Sequence, residues 1–324
     1  MSAQTMNAVK TMKAIQFHRY GNAEELVLQE IPRPEKPGEG QVLVRVHAAG
    51  VNPFDTALRA GYMHGMIPVS FPVIPGVEMA GVIEEVGPGV DHCKKGEAVY
   101  GNLLFDIGRG SYAEYMLANA NSVVPMPRNL DFDHAATVLH GARTAWSGLF
   151  ELADLQPGQR VLIHGAAGGV GIYAVQLAHW KGAYVIATTS TSNVDFVSAL
   201  GADQVIDYTQ TRFETVVHDV DVVFDGVGGE TLERSWHVLK KGGILVSAVG
   251  VPSQETATQH GVLCAQVGFP KDLPGILNQV TALVEQGKLK PYIRKIYTME
   301  QATHAHLHSE TRRGRGRIVL HIAD

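Results

Sequence analysis

The apolar run Arg160–His164 passes without a spacer into Gly165-Ala166-Ala167-Gly168-Gly169-Val170-Gly171, and a second apolar run of helical length follows. A strand that turns through glycines straight into a helix is the phosphate-cradling element of a dinucleotide-binding sheet. Gly168 lets the backbone approach a pyrophosphate, and Gly171 lets the new helix pack tightly on the strand. The helix N-terminus offers unpaired N–H groups and a positive dipole end to the anion. Ala166 stands where the first glycine of G-x-G-x-x-G would be. Alanine makes that turn as long as its φ stays negative.

Around this loop the chain alternates strand and helix patterns. Strands are expected at 184–188, 204–207, 221–224 and 243–247, with helices at 169–181, 193–200 and 229–239 and a closing helix at 273–285. Such βα alternation predicts a parallel, doubly wound α/β sheet. The first third reads differently. Short alternating segments at 12–17, 40–49, 78–86, 97–100 and 111–117 are separated by dense proline and glycine, which suggests a barrel-like or sandwich domain. Residues 133–152 carry helical periodicity with Asp133 as the N-cap, and 317–322 form a last strand of undecided domain.

Composition sets limits. Of 324 residues 45% are apolar and 18% charged, so a packed core is expected and disorder is not. The net charge is −5 and no basic stripe runs through the chain, against a nucleic-acid partner. Arg312, Arg313, Arg315 and Arg317 form one local cluster, either a solvated loop or the source of a phosphate contact. Two cysteines, Cys93 and Cys264, exclude a disulfide framework and a four-cysteine zinc site. No apolar run spans a bilayer and residues 1–11 lack a signal-like apolar core, so a cytoplasmic protein with no membrane partner is expected.

The choice of dinucleotide turns on residues 188–193, Thr-Thr-Ser-Thr-Ser-Asn. An NAD site places Asp or Glu about 20 residues past the loop, on the ribose 2′-hydroxyl. Here no acid appears until Asp195, and hydroxyls and an amide suit a 2′-phosphate, so NADP(H) is favoured. No Arg or Lys stands there either, and Arg212 or Tyr208 are candidate contacts.

The segments MKAIQFHRYGNAEELVL, GQVLVRVHAAGVNPFDTALRAG, PVIPGVEMAGVIEEVGPGV, GSYAEYM, HGAAGGVGIYAVQLA, LGADQVIDY and VDVVFDGVGGETLERSWHVLKKGGILVS, with GKLKP and GRIVLHI, together resemble one family. The chain is similar to the zinc-independent medium-chain dehydrogenase/reductases of the quinone oxidoreductase (zeta-crystallin-like) group. The resemblance implies a Rossmann NADP-binding domain at 134–286, inserted in a GroES-like catalytic domain at 1–133 that 287–324 complete. It also implies a cofactor in the cleft between them. Zinc-bearing relatives carry Cys and His where this chain has Asn52 and Val77, neither a plausible zinc ligand. Without a Lewis acid, a quinone or an α,β-unsaturated carbonyl is the better hydride acceptor, because conjugation spreads the developing charge.

The resemblance then implies roles. Asn52 and the adjoining backbone at Pro53 position the nicotinamide or the acceptor oxygen, and Tyr62 is a proton donor or pocket wall. Asp55 and Glu78 brace loops. Ala167, Gly168, Gly169 and Val170 hold the pyrophosphate, with Thr144 near the phosphates or ribose. Thr189, Ser190, Asn193 and Tyr208 face the 2′-phosphate. Val227, Ala248 and Val249, at strand ends, line the nicotinamide side. Arg315 and Arg317 approach from the tail. The same fold also serves enoyl thioester or alkenal reduction, or a structural or regulatory NADPH-binding role.

Four other signals are weaker. His304, His306 and His308 read as a surface helix rather than a metal site. His140 and His164 flank the site, and His164 reads as a core histidine. Cys93 beside Lys94 and Lys95 reads as a bystander. Residues 262–267 read as an edge strand that could pair two copies into a homodimer.

Overall fold

The computed structural model describes residues 10–103 and 108–324; residues 1–9, read above as no signal segment, lie outside them. β1 (Thr11–Gln16) and β2 (Val27–Pro32) form an antiparallel hairpin. Next come β3 (Gln41–Val51), α1 (Pro53–Ala60), β4 (Glu78–Val86), β5 (Ala98–Asn102), β6 (Tyr115–Asn119) and β7 (Val123–Pro125). β3 is the longest strand and pairs antiparallel with both β4 and β6. Its last residues are buried on both faces, which is why the apolar-polar alternation of the sequence gives out at Ala48-Ala49-Gly50-Val51.

The single helix expected over 133–152 is two helices, α2 (Phe132–Ala135) and α3 (Leu139–Trp146), the second running into a π-helical turn at Ser147–Leu152. Asp131, not Asp133, caps α2: its carboxylate accepts the His134 N–H at 2.8 Å, while Asp133 faces His321. Tertiary contacts cause the break. The Glu78 carboxylate accepts the main-chain N–H of His140 at 2.7 Å, which sets a new helix start.

The second half is the doubly wound sheet. β8 (Arg160–His164), α4 (Gly171–Lys181), β9 (Tyr184–Thr189), α5 (Val194–Ala199), β10 (Gln204–Asp207), β11 (Val220–Asp225), α6 (Glu230–Ser235), β12 (Leu239–Ser247), α7 (Gln254–His260) and β13 (Leu263–Gln266) follow in turn. The strands are all parallel, in the order β10-β9-β8-β11-β12-β13. Chain direction across the sheet reverses between β8 and β11, and the crevice at that switch point is where such sheets bind ligands. α4 is buried from Gly171 to Ala178, as its nearly all-apolar sequence requires.

α8 (Leu273–Glu285), β14 (Ile293–Thr298), α9 (Ala302–Glu310) and β15 (Arg317–His321) complete the chain. β15 joins the first domain, antiparallel to β3 with Ile318 opposite Val51, and gives a seven-stranded sheet. The strand expected at 111–117 starts only at Tyr115. Before it, Ser111 donates its hydroxyl to the Glu78 carbonyl and Tyr112 bonds Ile15, which bends the segment away from a ladder. α9 is a surface helix in part only, because His306 is fully buried against Tyr112.

Gly141 in α3 packs against α4 and the glycine turn. A Cβ there would meet the Gly169 carbonyl and the Tyr173 ring. Alanine in a free helix gains about 1 kcal/mol over glycine, but overpacking costs about 1–3 kcal/mol. Gly141→Ala should therefore lower stability in urea unfolding, and a gain would show that the α3–α4 contact is slack.

Candidate active site

Three buried side chains form the cleft floor. β3 ends at Val51, β4 begins at Glu78, and β15 brings Arg317 beside both. The Arg317 guanidinium pairs with Glu78 and donates to the Asn52 side-chain oxygen at 2.8 Å. Asn52 in turn donates to the Gly50 carbonyl and to Glu78. Burial pushes the Glu78 carboxyl up, against the pull of Arg317 and the His140 N–H. Asp55, at the start of α1, accepts the Asn52 main-chain N–H at 2.8 Å. Burial, with Glu78 close by, raises it to about 7.

The phosphate turn sits directly on this floor. Gly165 takes φ +69°, and Ala166 keeps a negative φ, so the alanine costs the turn nothing. Gly168 donates to the Gly165 carbonyl at 2.9 Å, and a Cβ on Gly171 would collide with that same oxygen. A Cβ on Gly169 would lie 3.0 Å from Cδ of Arg317, so the arginine side chain runs under the turn. Gly316 donates to the Ala167 carbonyl at 2.9 Å. The last strand of one domain thus clamps the nucleotide loop of the other. Val170 precedes α4, whose first N–H groups face the loop.

At the adenosine end Thr189 and Asn193 are buried, and Asn193 donates to the Ser190 hydroxyl at 3.1 Å. The Tyr208 N–H binds the Thr189 carbonyl, and its ring is exposed. The pocket is not free of acid, as residues 188–193 alone suggest. β10 lies beside β9, which brings the Asp207 carboxylate to the Thr191 hydroxyl at 2.6 Å, and Thr209 also donates to it. The Thr191 hydroxyl and the Thr209 donors hold Asp207 below the usual carboxylate range. A cation is present too: Arg315 lies over the Phe196 ring in α5, 5.1 Å from its centroid. No local sequence signal links Arg315 to Phe196, because the pair spans the two domains.

At the opposite end Val227 and Val249 are exposed beyond β11 and β12, with Ala248 half-buried between them and the sheet. Asp225 accepts the N–H groups of Val227 and Gly228 and shapes that loop. Thr144 donates to the His140 carbonyl, and Arg143 binds the Gly268 carbonyl. Pro53 is exposed at the head of α1. Tyr62 stands apart: it is exposed beyond α1, whose eight residues span roughly 12 Å. His164 is a core residue, bonded through both ring nitrogens to Thr188 and Ser235 and pushed down by burial to about 3.

A catalytic zinc ion does not fit this floor. Val77 offers no ligand atom, Asn52 is engaged on both amide atoms, and the Arg317 cation already lies against Glu78. Among the described residues no three His, Cys, Asp or Glu side chains are grouped to hold a metal. No helix among them is long and apolar enough to cross a membrane.

A glycine turn between a strand and a helix, clamped over a buried polar floor by the C-terminal strand, is the geometry of a dinucleotide-binding sheet. A family model described as an alcohol dehydrogenase GroES-like domain matches residues 38–128, and one described as a zinc-binding dehydrogenase matches 200–320. The chain is 34% identical over 323 residues to a 2-methylene-furan-3-one reductase of Solanum lycopersicum, covering 96% of this chain and 79% of that protein. It is 32% identical to a quinone oxidoreductase of Sus scrofa, covering 96% and 98%. The structure of a quinone oxidoreductase from Coxiella burnetii superposes with a TM-score of 0.86 at 33% identity, over 96% of this chain and 99% of that one. The chain belongs to the quinone oxidoreductase group of the medium-chain dehydrogenase/reductase family.

Asp55 generates a stability prediction. In the unfolded chain a carboxyl titrates near 3.9, and in the fold Asp55 titrates at about 7. A raised carboxyl contributes stability that is present below the unfolded value and lost as pH rises through the folded one. Unfolding free energy should fall from about pH 4 to about pH 7 in the wild type, and Asp55→Asn should flatten that fall. Parallel urea-midpoint curves for the two proteins would show that Asp55 does not titrate in this way.

Proposed function

We propose that this enzyme is an NADPH-dependent, zinc-independent reductase of quinones and α,β-unsaturated carbonyl compounds. The observation that carries the reading is the buried Arg317–Glu78–Asn52 floor, which offers no Lewis acid and so favours acceptors that spread charge themselves. When bound, the nicotinamide dinucleotide supplies the hydride. The cradle fits it: Ala167, Gly168, Gly169 and Val170 carry no side chain larger than valine and lead straight into the N-terminus of α4, which suits a pyrophosphate. Thr144 faces the phosphates or ribose, and Val227, Ala248, Val249, Pro53 and the backbone at Asn52 enclose the nicotinamide. Arg317 acts by holding the floor and the turn together rather than as a free phosphate ligand.

The preference for NADPH rests on Arg315. Thr189, Ser190, Asn193 and Tyr208 offer hydrogen bonds to a 2′-phosphate, and Asp207 already accepts three from Thr191 and Thr209. Stacking on Phe196 preorganises the guanidinium beside α5. In fluorescence titrations Arg315→Ala should weaken NADPH about tenfold, leave NADH nearly unchanged, and reduce the salt dependence of NADPH binding. Equal weakening of both cofactors, or of neither, rejects this assignment. Steady consumption of NADPH with a panel of quinones and enones tests the activity itself, and silence across the panel rejects it.

A reducing compartment, the cytoplasm, suits the two unpaired cysteines. β13 leaves a free edge beside exposed Leu263 and Phe269, which supports a homodimer in which two sheets join edge to edge. Light scattering should give twice the 35.0 kDa chain mass, and Leu263→Lys should shift it toward the monomer. A wild-type monomer at micromolar concentration rejects the dimer.

A further inference from the structure

His140 stands where the floor meets the phosphate turn. Its main-chain N–H is held by Glu78, and the next residue, Gly141, abuts the Gly169 carbonyl. Its ring lies 6.3 Å, centroid to centroid, from Phe54 at the head of α1. Asn102, buried at the end of β5 and paired across the ladder with Glu78, donates its side-chain N–H to His140 Nδ1 at 3.1 Å. A ring nitrogen that accepts a hydrogen bond carries no proton, so the neutral imidazole bears its proton on Nε2. Among the described residues that nitrogen has no partner, and it is not among their buried unpartnered atoms. The ring is partly open to solvent, whereas His164 and His306 are sealed in the core.

We propose that His140 is a catalytic hydrogen-bond donor, presenting Nε2–H to the carbonyl oxygen of the acceptor. The inference rests on the reductase reading above. A bound reduced nicotinamide would supply the hydride that the β-carbon of an enone, or the ring of a quinone, accepts. The π pair then moves onto oxygen, and the Nε2–H···O bond strengthens as negative charge grows there. The imidazole keeps its proton throughout, and water entering the cleft supplies the one proton that completes the product. Burial, with Arg143 and Arg317 nearby, pulls the imidazole well below its usual pKa, so the donor is neutral across the physiological range. A neutral imidazole is a competent electrophile of this kind. His140 thus supplies, by one oriented N–H, part of the polarisation that a metal supplies elsewhere.

Two variants of similar bulk separate the donor from the space it fills. His140→Phe should lower kcat for a simple enone about 10²–10³-fold, the usual loss for one oxyanion donor, and His140→Gln, which restores an N–H, should recover much of it. The loss should be smaller for a quinone, which delocalises its own charge. NADPH affinity by fluorescence should stay near wild type in both variants, as a readout of intact folding that does not depend on turnover. If His140→Phe keeps its enone kcat within about threefold while binding NADPH normally, the donor role is wrong. The role is also wrong if Phe and Gln variants fall equally, or if enone and quinone suffer the same factor, because that is the pattern of a packing residue. A wild type that oxidises NADPH with no acceptor would overturn the reductase reading, and this inference with it.

Discussion

The Arg317–Glu78 ion pair is the contact on which the remaining architecture converges. Both groups are sealed from water, a state that costs several kcal/mol per ion unless partners satisfy it. Here the satisfaction is distributed. Glu78 takes the guanidinium on one oxygen and the His140 N–H on the other, while Arg317 also donates to Asn52. Each partner belongs to a different element, so the pair ties β4, β15, α3 and the head of α1 at one point. The arginine stem then continues under Gly169. Removing either charge would leave the other buried and unpaired, which is why the site and the domain junction stand or fall together.

What was legible in the sequence follows from how local each interaction is. The turn at 165–171 depends on one strand, its glycines and one helix, all contiguous, and it was readable residue by residue. β8 and α8 match their sequence bounds because their apolar patterns are uninterrupted. The helix over 133–152 broke where Glu78, some sixty residues earlier in the chain, captures a main-chain N–H. Asp207 entered the adenosine pocket because β10 neighbours β9 in space, a fact that counting residues past the glycine loop does not reveal. The resemblance to a family supplied the placement of the tail strand that periodicity left open. It did not supply the burial of Asn52, which turned a presumed ligand-facing amide into part of the floor.

The adenosine end shows opposing charges resolved by geometry. Asp207 alone would favour a ribose 2′-hydroxyl over a phosphate. Its oxygens instead accept from Thr191 after β9 and from Thr209 after β10, which uses most of its acceptor capacity. Arg315 arrives from the C-terminal tail and lies over an aromatic ring, and among the described residues no acid forms an ion pair with it. Proximity of a carboxylate therefore does not decide cofactor choice by itself. The free capacity of each group does.

The same principle governs the chemistry of the floor. A guanidinium whose terminal nitrogen bonds a buried carboxylate and an amide is largely neutralised by that carboxylate, so Arg317 is a poor substitute for zinc in stabilising an alkoxide. That leaves the acceptor to delocalise most of its own charge, aided by oriented N–H donors at the cleft wall. The sealed ion pair and the proposed use of conjugated acceptors are thus two expressions of one constraint: the cation at this site is used to build the fold, and the substrate must do without it.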